Sequence, residues 1–127
     1  MRMNPEILNI LKGFGISLGL TLVIELLIAF LMKVRGRAEF LIVALVNVLT
    51  NPLVVLIVYF MIFRYPAFRR PVEILLEILV IPAEGLLYRA AKKSGFSFKR
   101  PFLLALVCNL SSYGIGLIIN AVRAVLR

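Results

Sequence analysis

The stretch at residues 71–91, PVEILLEILVIPAEGLLYRAA, is apolar enough to belong in a bilayer, yet it carries Glu73, Glu77 and Glu84. At about 100° per residue, Glu77 stands about 40° from Glu73 and Glu84 about 20° from it, so one helix face holds all three carboxyls. Such a face is costly against lipid and needs other polar surface to turn toward. The rest of the chain must supply that surface.

The chain has 127 residues, of which 62% are hydrophobic, and its mean hydropathy is +1.04. Soluble domains hold about 45–50% apolar residues, so this composition belongs to a membrane protein. Four stretches, at about 14–32, 40–63, 72–91 and 102–122, reach the roughly 20 residues that cross about 30 Å of hydrocarbon. The expected fold is all-α: a single polytopic domain over residues 1–127 with four transmembrane helices in two tandem hairpins. The third span is marginal. Its large apolar residues contribute roughly −4 kcal/mol, and three glutamates and a proline cost as much, so it needs the other helices or protonation to sit across the membrane.

The net charge of +9 arises from 15 Lys and Arg against six acidic residues, all glutamate, with no His. The cations fall almost wholly in short loops and ends, where they meet anionic headgroups, so the expected partner is the lipid bilayer and not nucleic acid. The lone Cys108 lies inside the fourth span, which excludes an intrachain disulfide. Arg2 and Lys12 precede the first apolar run as in a signal peptide, but no small-residue cleavage site follows, and the run reads as a retained helix. The expected location is the prokaryotic cytoplasmic membrane.

Each span carries its own polar residues. In the first, Ser17, Thr21 and Glu25 form a stripe, and Gly15 with Gly19 reads as a close helix-packing pair. A carboxyl at the bilayer centre costs roughly 3 kcal/mol on insertion scales, so Glu25 needs a partner or a function. The second span has Asn47, Thr50, Asn51 and Pro52. Pro52 cannot donate to the Val48 carbonyl, and Pro82 likewise frees the carbonyl of Ile78 near Glu84. The freed groups read either as a polar, ion-binding pocket or as kinks satisfied by neighbours. In the fourth span Asn109, Ser112, Gly116 and Asn120 fall within about 80° of arc, beside Ser111, as packing surface or ligand shell.

An internal repeat is expected. ALVNVLTNPLVVLIV from Ala44 lies over ALVCNLSSYGIGLII from Ala105, matching Thr50 with Ser111 and Asn51 with Ser112. A nearby offset matches Glu25 with Glu84, Lys33 with Lys92 and Gly36 with Gly95. Two hairpins, at 10–63 and 71–122, would then share one orientation about an axis along the membrane normal. Arg2, Lys12, Arg64, Arg69, Arg70, Arg123 and Arg127 lie on one side and the remaining eight cations on the other, a balance that sets no orientation. Dual insertion to form an antiparallel homodimer is therefore an expectation, as is a larger membrane partner.

Without His or Asp and with one Cys, the chain lacks the parts of a Ser-His-Asp triad, a two-histidine metal site or a Cys-x-x-Cys pair, and it is not expected to be an enzyme or to hold a cofactor. Oxygen ligands suit protons or hard cations, with no particular metal indicated. The candidate ion- or proton-binding residues are Glu25, Glu84 and Glu77. Thr21, Asn47, Thr50, Asn51, Asn109, Ser111 and Ser112 are supporting polar groups, and Pro52 and Pro82 are helix kinks. Carboxyls that exchange protons inside a membrane are what coupled transport of a cation or cationic solute requires. The alternative is a non-transporting assembly or scaffold subunit whose polar faces bind one another or a larger protein.

The run from Glu25 to Lys33, within IELLIAFLMKV, resembles the first helix of the small multidrug resistance exporters, four-helix chains with one membrane glutamate and often dual topology. That likeness implies export of cationic compounds, although this chain has no Trp and adds glutamates in its third span. The wider pattern, TNP at 50–52, paired glutamates in span three and NLSSYGIG from Asn109, resembles small uncharacterised bacterial four-helix integral membrane proteins, which implies no activity.

Overall fold

A computed structural model describes residues 2–127. Helix α1, Pro5–Leu31, opens where the Asn4 side chain accepts from the Glu6 N–H at 3.0 Å, with Pro5 at a position whose N–H would be unpaired in any case. It ends with Lys33 in the left-handed region (φ 69°), which lets the Val34 N–H reach back to the Ala29 carbonyl at 3.0 Å. Val34 is thereby folded under the bundle and fully buried. Helix α2, Arg37–Arg64, follows Gly36 (φ 101°). A single 3₁₀ turn, Pro66–Phe68, leads into α3, Arg69–Ala90. A second, Ala91–Ser94, ends at Gly95 (φ 100°), and the Phe96 N–H returns to the Ala91 carbonyl at 3.2 Å, burying Phe96 as Val34 is buried. Helix α4, Pro101–Val125, again starts on a proline.

Each helix packs against two neighbours, in the ring order α1, α2, α3, α4 and back to α1. Short connections make sequential helices antiparallel. The α1–α2 and α3–α4 connections therefore share one end of the bundle, where the Glu39 carboxylate accepts from the Ser97 N–H at 3.1 Å and from the Ser97 hydroxyl. Among the described residues α1, α2 and α4 are long and apolar enough to cross a membrane. Helix α3 does not meet that measure, because Glu73, Glu77, Glu84 and Arg89 interrupt its 22 residues. The helices overrun the expected spans: α1 begins at Pro5 and α4 continues to Val125, because capping and helix propensity extend them beyond the hydrocarbon-length cores. Large apolar side chains such as Leu27, Leu56, Phe60 and Ile118 lie on the outer surface, as lipid contact demands.

The packed core sits at the end shared by the two connections. There Ala29, Val34, Val43, Leu104 and Cys108 surround Tyr88 and Phe96, whose rings stack with centroids 5.1 Å apart. Toward the chain termini the helices enclose a cavity instead. Two expectations from sequence are corrected. A Cβ at Gly15 or Gly19 would meet nothing within 4 Å, so this pair packs no helix in the chain; the close approach is at Gly85, where a Cβ would overlap the Phe102 ring. Pro82 and Ile78 are exposed on the outer surface, so that freed carbonyl does not face Glu84, whereas Pro52 is half-buried.

Candidate functional site

The cavity of about 650 Å³ opens at the end holding the chain termini and the Pro66–Phe68 turn. Arg69, Arg70 and Glu73 stand at its mouth, and Arg70 pairs with Glu73 at 3.5 Å across exposed surface, a contact worth less than about 1 kcal/mol. Thr21, Asn51, Tyr59, Glu77, Tyr113 and Asn120 line its walls, and Asn109 and Ser112 lie deepest. The shared face of α3 therefore grades in depth: Glu73 and Glu77 are half-buried on the cavity wall, and Glu84 is 1% exposed beneath it. Below that level the Tyr88–Phe96 stack closes the bundle.

Glu84 has a partner for each oxygen. Thr50 Oγ1 on α2 donates to Glu84 Oε1 at 2.6 Å, and Asn109 Nδ2 on α4 donates to Glu84 Oε2 at 2.6 Å. The second Asn109 amide proton goes to the Ala105 carbonyl at 2.8 Å. Thr50 also lies 3.0 Å from the Val46 carbonyl, and a hydroxyl has one proton to give. An ionised Glu84 takes that proton. A protonated Glu84 donates instead to Thr50 Oγ1, which turns its own proton to Val46, so both charge states leave every atom paired.

Glu25, 0% exposed, is built on the same plan but less completely. Ser112 Oγ lies 3.2 Å from Glu25 Oε1 and 3.2 Å from the Asn109 carbonyl, again one hydroxyl proton between two acceptors. Cys108 Sγ approaches the Glu25 backbone carbonyl at 3.6 Å. The other carboxyl oxygen, Oε2, has no partner; neither do Asn47 Oδ1 and Tyr88 OH. Asn47 donates one N–H to the Val43 carbonyl at 3.0 Å, and its buried oxygen accepts from nothing. A buried unpaired polar atom costs about 1–3 kcal/mol, so each of the three is a cost to the fold.

Of the residues singled out from sequence, Glu25, Glu84, Thr50, Asn109 and Ser112 are joined by hydrogen bonds, Asn47 is buried but bonds only within α2, and Thr21, Asn51 and Glu77 line the cavity. Ser111 is half-buried and takes no part in the carboxyl bonds; Asn51, expected as a ligand, yields that place to Thr50 one residue earlier. Tyr88 escaped the sequence reading, although it lies one helical turn beyond Glu84 on the same face and could have been found by that spacing. The Glu39–Ser97 contact had no local signal, because 58 residues separate its partners. Among the described residues no group of three or more His, Cys, Asp or Glu is placed to hold a metal ion. Comparison with protein-family models, with curated proteins and with solved structures finds no match.

Proposed function

We propose that this is a small membrane transport protein in which Glu25 and Glu84 exchange protons or cations for a cation or cationic solute that reaches them through the cavity. The observation that carries the reading is a cavity whose lining includes Asn109 and Ser112, the partners of two carboxyls buried beyond it, each carboxyl bonded to a hydroxyl that has a second acceptor. A carboxyl so placed can change its charge without orphaning its partner. Glu77, half-buried on the wall, is the relay between the mouth and Glu84. In this reading α3 is the fourth transmembrane span: its 22 residues reach about 33 Å at about 1.5 Å per residue, and its carboxyls face the interior. The prokaryotic cytoplasmic membrane is the setting we infer. One chain brings both carboxyls and their partners together, so the site does not depend on a second copy.

The duplicated-hairpin reading is also proposed, in a register one residue from that of the apolar alignment. Asn47 and Thr50 on α2 correspond to Asn109 and Ser112 on α4: each Asn donates to the carbonyl four residues earlier, and each hydroxyl meets a carboxyl. The test of function is flux. Chain reconstituted in liposomes with an imposed pH gradient should collapse that gradient when an exported cation or organic cation is supplied, and Glu25→Gln should not. No gradient-dependent movement of any cation tested would sink the transport reading.

One observation favours the second reading, an assembly subunit. Both oxygens of Glu84 are satisfied by side chains of the same chain, as a purely structural carboxyl would be. In that case Glu84→Gln and Glu25→Gln would alter stability or partner capture and no flux would be found in the wild type.

A further inference from the structure

A second cavity, also of about 650 Å³, lies at the opposite end of the bundle, between the α1–α2 and α3–α4 connections. Each connection brings it a lysine and an arginine: Lys33 and Arg35 from the first, Lys99 and Arg100 from the second. They meet because Glu39, 7% exposed, accepts from the Ser97 N–H at 3.1 Å and from the Ser97 hydroxyl, pinning the second connection to the start of α2. None of the four cations pairs with that carboxylate; among the described residues the only ion pair is Arg70 with Glu73. Four cations around one carboxylate leave the lining strongly positive. Arg35 is also held in place. Its guanidinium stands 4.8 Å from the centre of the Phe30 ring and donates to the Phe30 carbonyl at 3.3 Å, with further N–H groups of the fork left over. Helices α2 and α4 both begin at this end without a side-chain cap, so their first turns add positive potential.

The rest of the lining is apolar, from Met32, Phe98 and Leu103. Leu103 starts a stripe that continues along the outer face of α4 through Leu106 and Leu110, three and four residues further on and all exposed. The apolar runs of α1, α2 and α4 end at this level, which is where headgroups lie. We propose that this cavity binds one anionic phospholipid, with Lys33, Arg35, Lys99 and Arg100 around its phosphate and an acyl chain leaving past Leu103 along the Leu106 and Leu110 stripe. Arginine forks match phosphate oxygens two at a time, and the lysines add point charge. A free phosphate would satisfy the same cations but leave the apolar wall and stripe unused. General attraction of loop cations to a bilayer needs no cavity and counts every surface charge alike. The site stands apart from the buried glutamates and does not depend on the transport reading.

The test titrates the purified chain in neutral detergent with phosphatidylglycerol, counting bound lipid by native mass spectrometry and following the melting temperature. One lipid per chain should bind and raise the melting temperature. Phosphatidylcholine, with no net charge, should bind about tenfold more weakly or worse. Arg35→Gln with Arg100→Gln should weaken phosphatidylglycerol binding by about tenfold or more. Arg64→Gln with Arg123→Gln removes the same charge at the other end and should leave binding within about twofold. If the first pair does not fold, Lys33→Gln with Lys99→Gln decides. Inorganic phosphate and glycerophosphoglycerol, the headgroup without its chains, should not displace the lipid at equal concentration. Displacement by either would assign the cavity to free phosphate compounds and overturn the lipid. Equal binding of phosphatidylcholine, equal losses in the two arginine pairs, or no saturable binding would overturn the site.

Discussion

Replacing Glu84 with Gln swaps one carboxyl oxygen for an NH₂ group and tests whether the charge or only the hydrogen bonds hold the bundle together. The Gln oxygen can accept from Asn109 Nδ2 at the 2.6 Å position, and its NH₂ can donate to Thr50 Oγ1, which passes its own proton to the Val46 carbonyl 3.0 Å away. Every heavy atom of the new side chain keeps a partner and only the second N–H of its amide is left over, so the cost stays at about 1 kcal/mol, the low end for an unpaired buried group. For a chain of this length about 1 kcal/mol moves the melting temperature by about 3–5 °C. Glu84→Gln should therefore melt within about 5 °C of wild type. Glu84→Leu removes both acceptors, leaves an Asn109 N–H unpaired in the core, and should melt about 3–15 °C lower. Melting of both variants in one detergent measures the difference. If Glu84→Gln falls as far as Glu84→Leu, the two-acceptor account of Thr50 is wrong and the ionised carboxylate itself is structural.

Thr50→Val keeps the shape but orphans Glu84 Oε1 in wild type and the new NH₂ group in Glu84→Gln, so it should cost about 1–3 kcal/mol in either background by thermal melting. Gly85→Ala drives a Cβ into the Phe102 ring between α3 and α4 and should destabilise by about 1–3 kcal/mol, while Gly116→Ala, with open space around it, should leave the melting temperature nearly unchanged. Asn120→Cys on the cavity wall should react with a membrane-impermeant maleimide, whereas the native Cys108, fully buried beneath the glutamates, should not react until the chain unfolds.

The apolar lengths and the polar stripes were legible because both are local: a span shows itself in some twenty successive residues, and Glu73, Glu77 and Glu84 share a face by helix geometry alone. Which polar faces meet was partly legible too, since few interior surfaces can receive a carboxyl. What the sequence did not disclose was depth and partner. Asn51 and Thr50 are adjacent and both polar, but a rotation of about 100° between neighbours puts one on the cavity wall and the other on Glu84. The Gly15–Gly19 spacing matched a packing signature, but packing needs a helix opposite, and the glycine that is pressed, Gly85, carries no such pattern. The closed end was illegible because it depends on tertiary contact: Tyr88 and Phe96 become neighbours only when the α3–α4 connection turns back under the bundle.

That closed end has a weak point, and it lies in the first connection. Both turns fold an apolar residue under the helices through a left-handed residue just before it, but the second turn uses Gly95 and the first uses Lys33. A residue with a Cβ in that region costs about 1–2 kcal/mol, whereas glycine occupies it without strain but gives up about 0.5–1 kcal/mol of unfolded-state freedom. Lys33→Gly should therefore stabilise the chain by about 0.5–1 kcal/mol, a rise of about 2–5 °C in melting temperature. Gly36→Ala, at φ 101°, should do the opposite. If movement of the closed end accompanies transport, Lys33→Gly should also slow flux while it raises stability, because strain released in the closed form deepens that state relative to the open one. A lower melting temperature in Lys33→Gly would show that the Lys33 side chain contributes more to the turn than its backbone costs. Greater stability with unchanged flux would place the moving element elsewhere than at the Val34 and Phe96 turns.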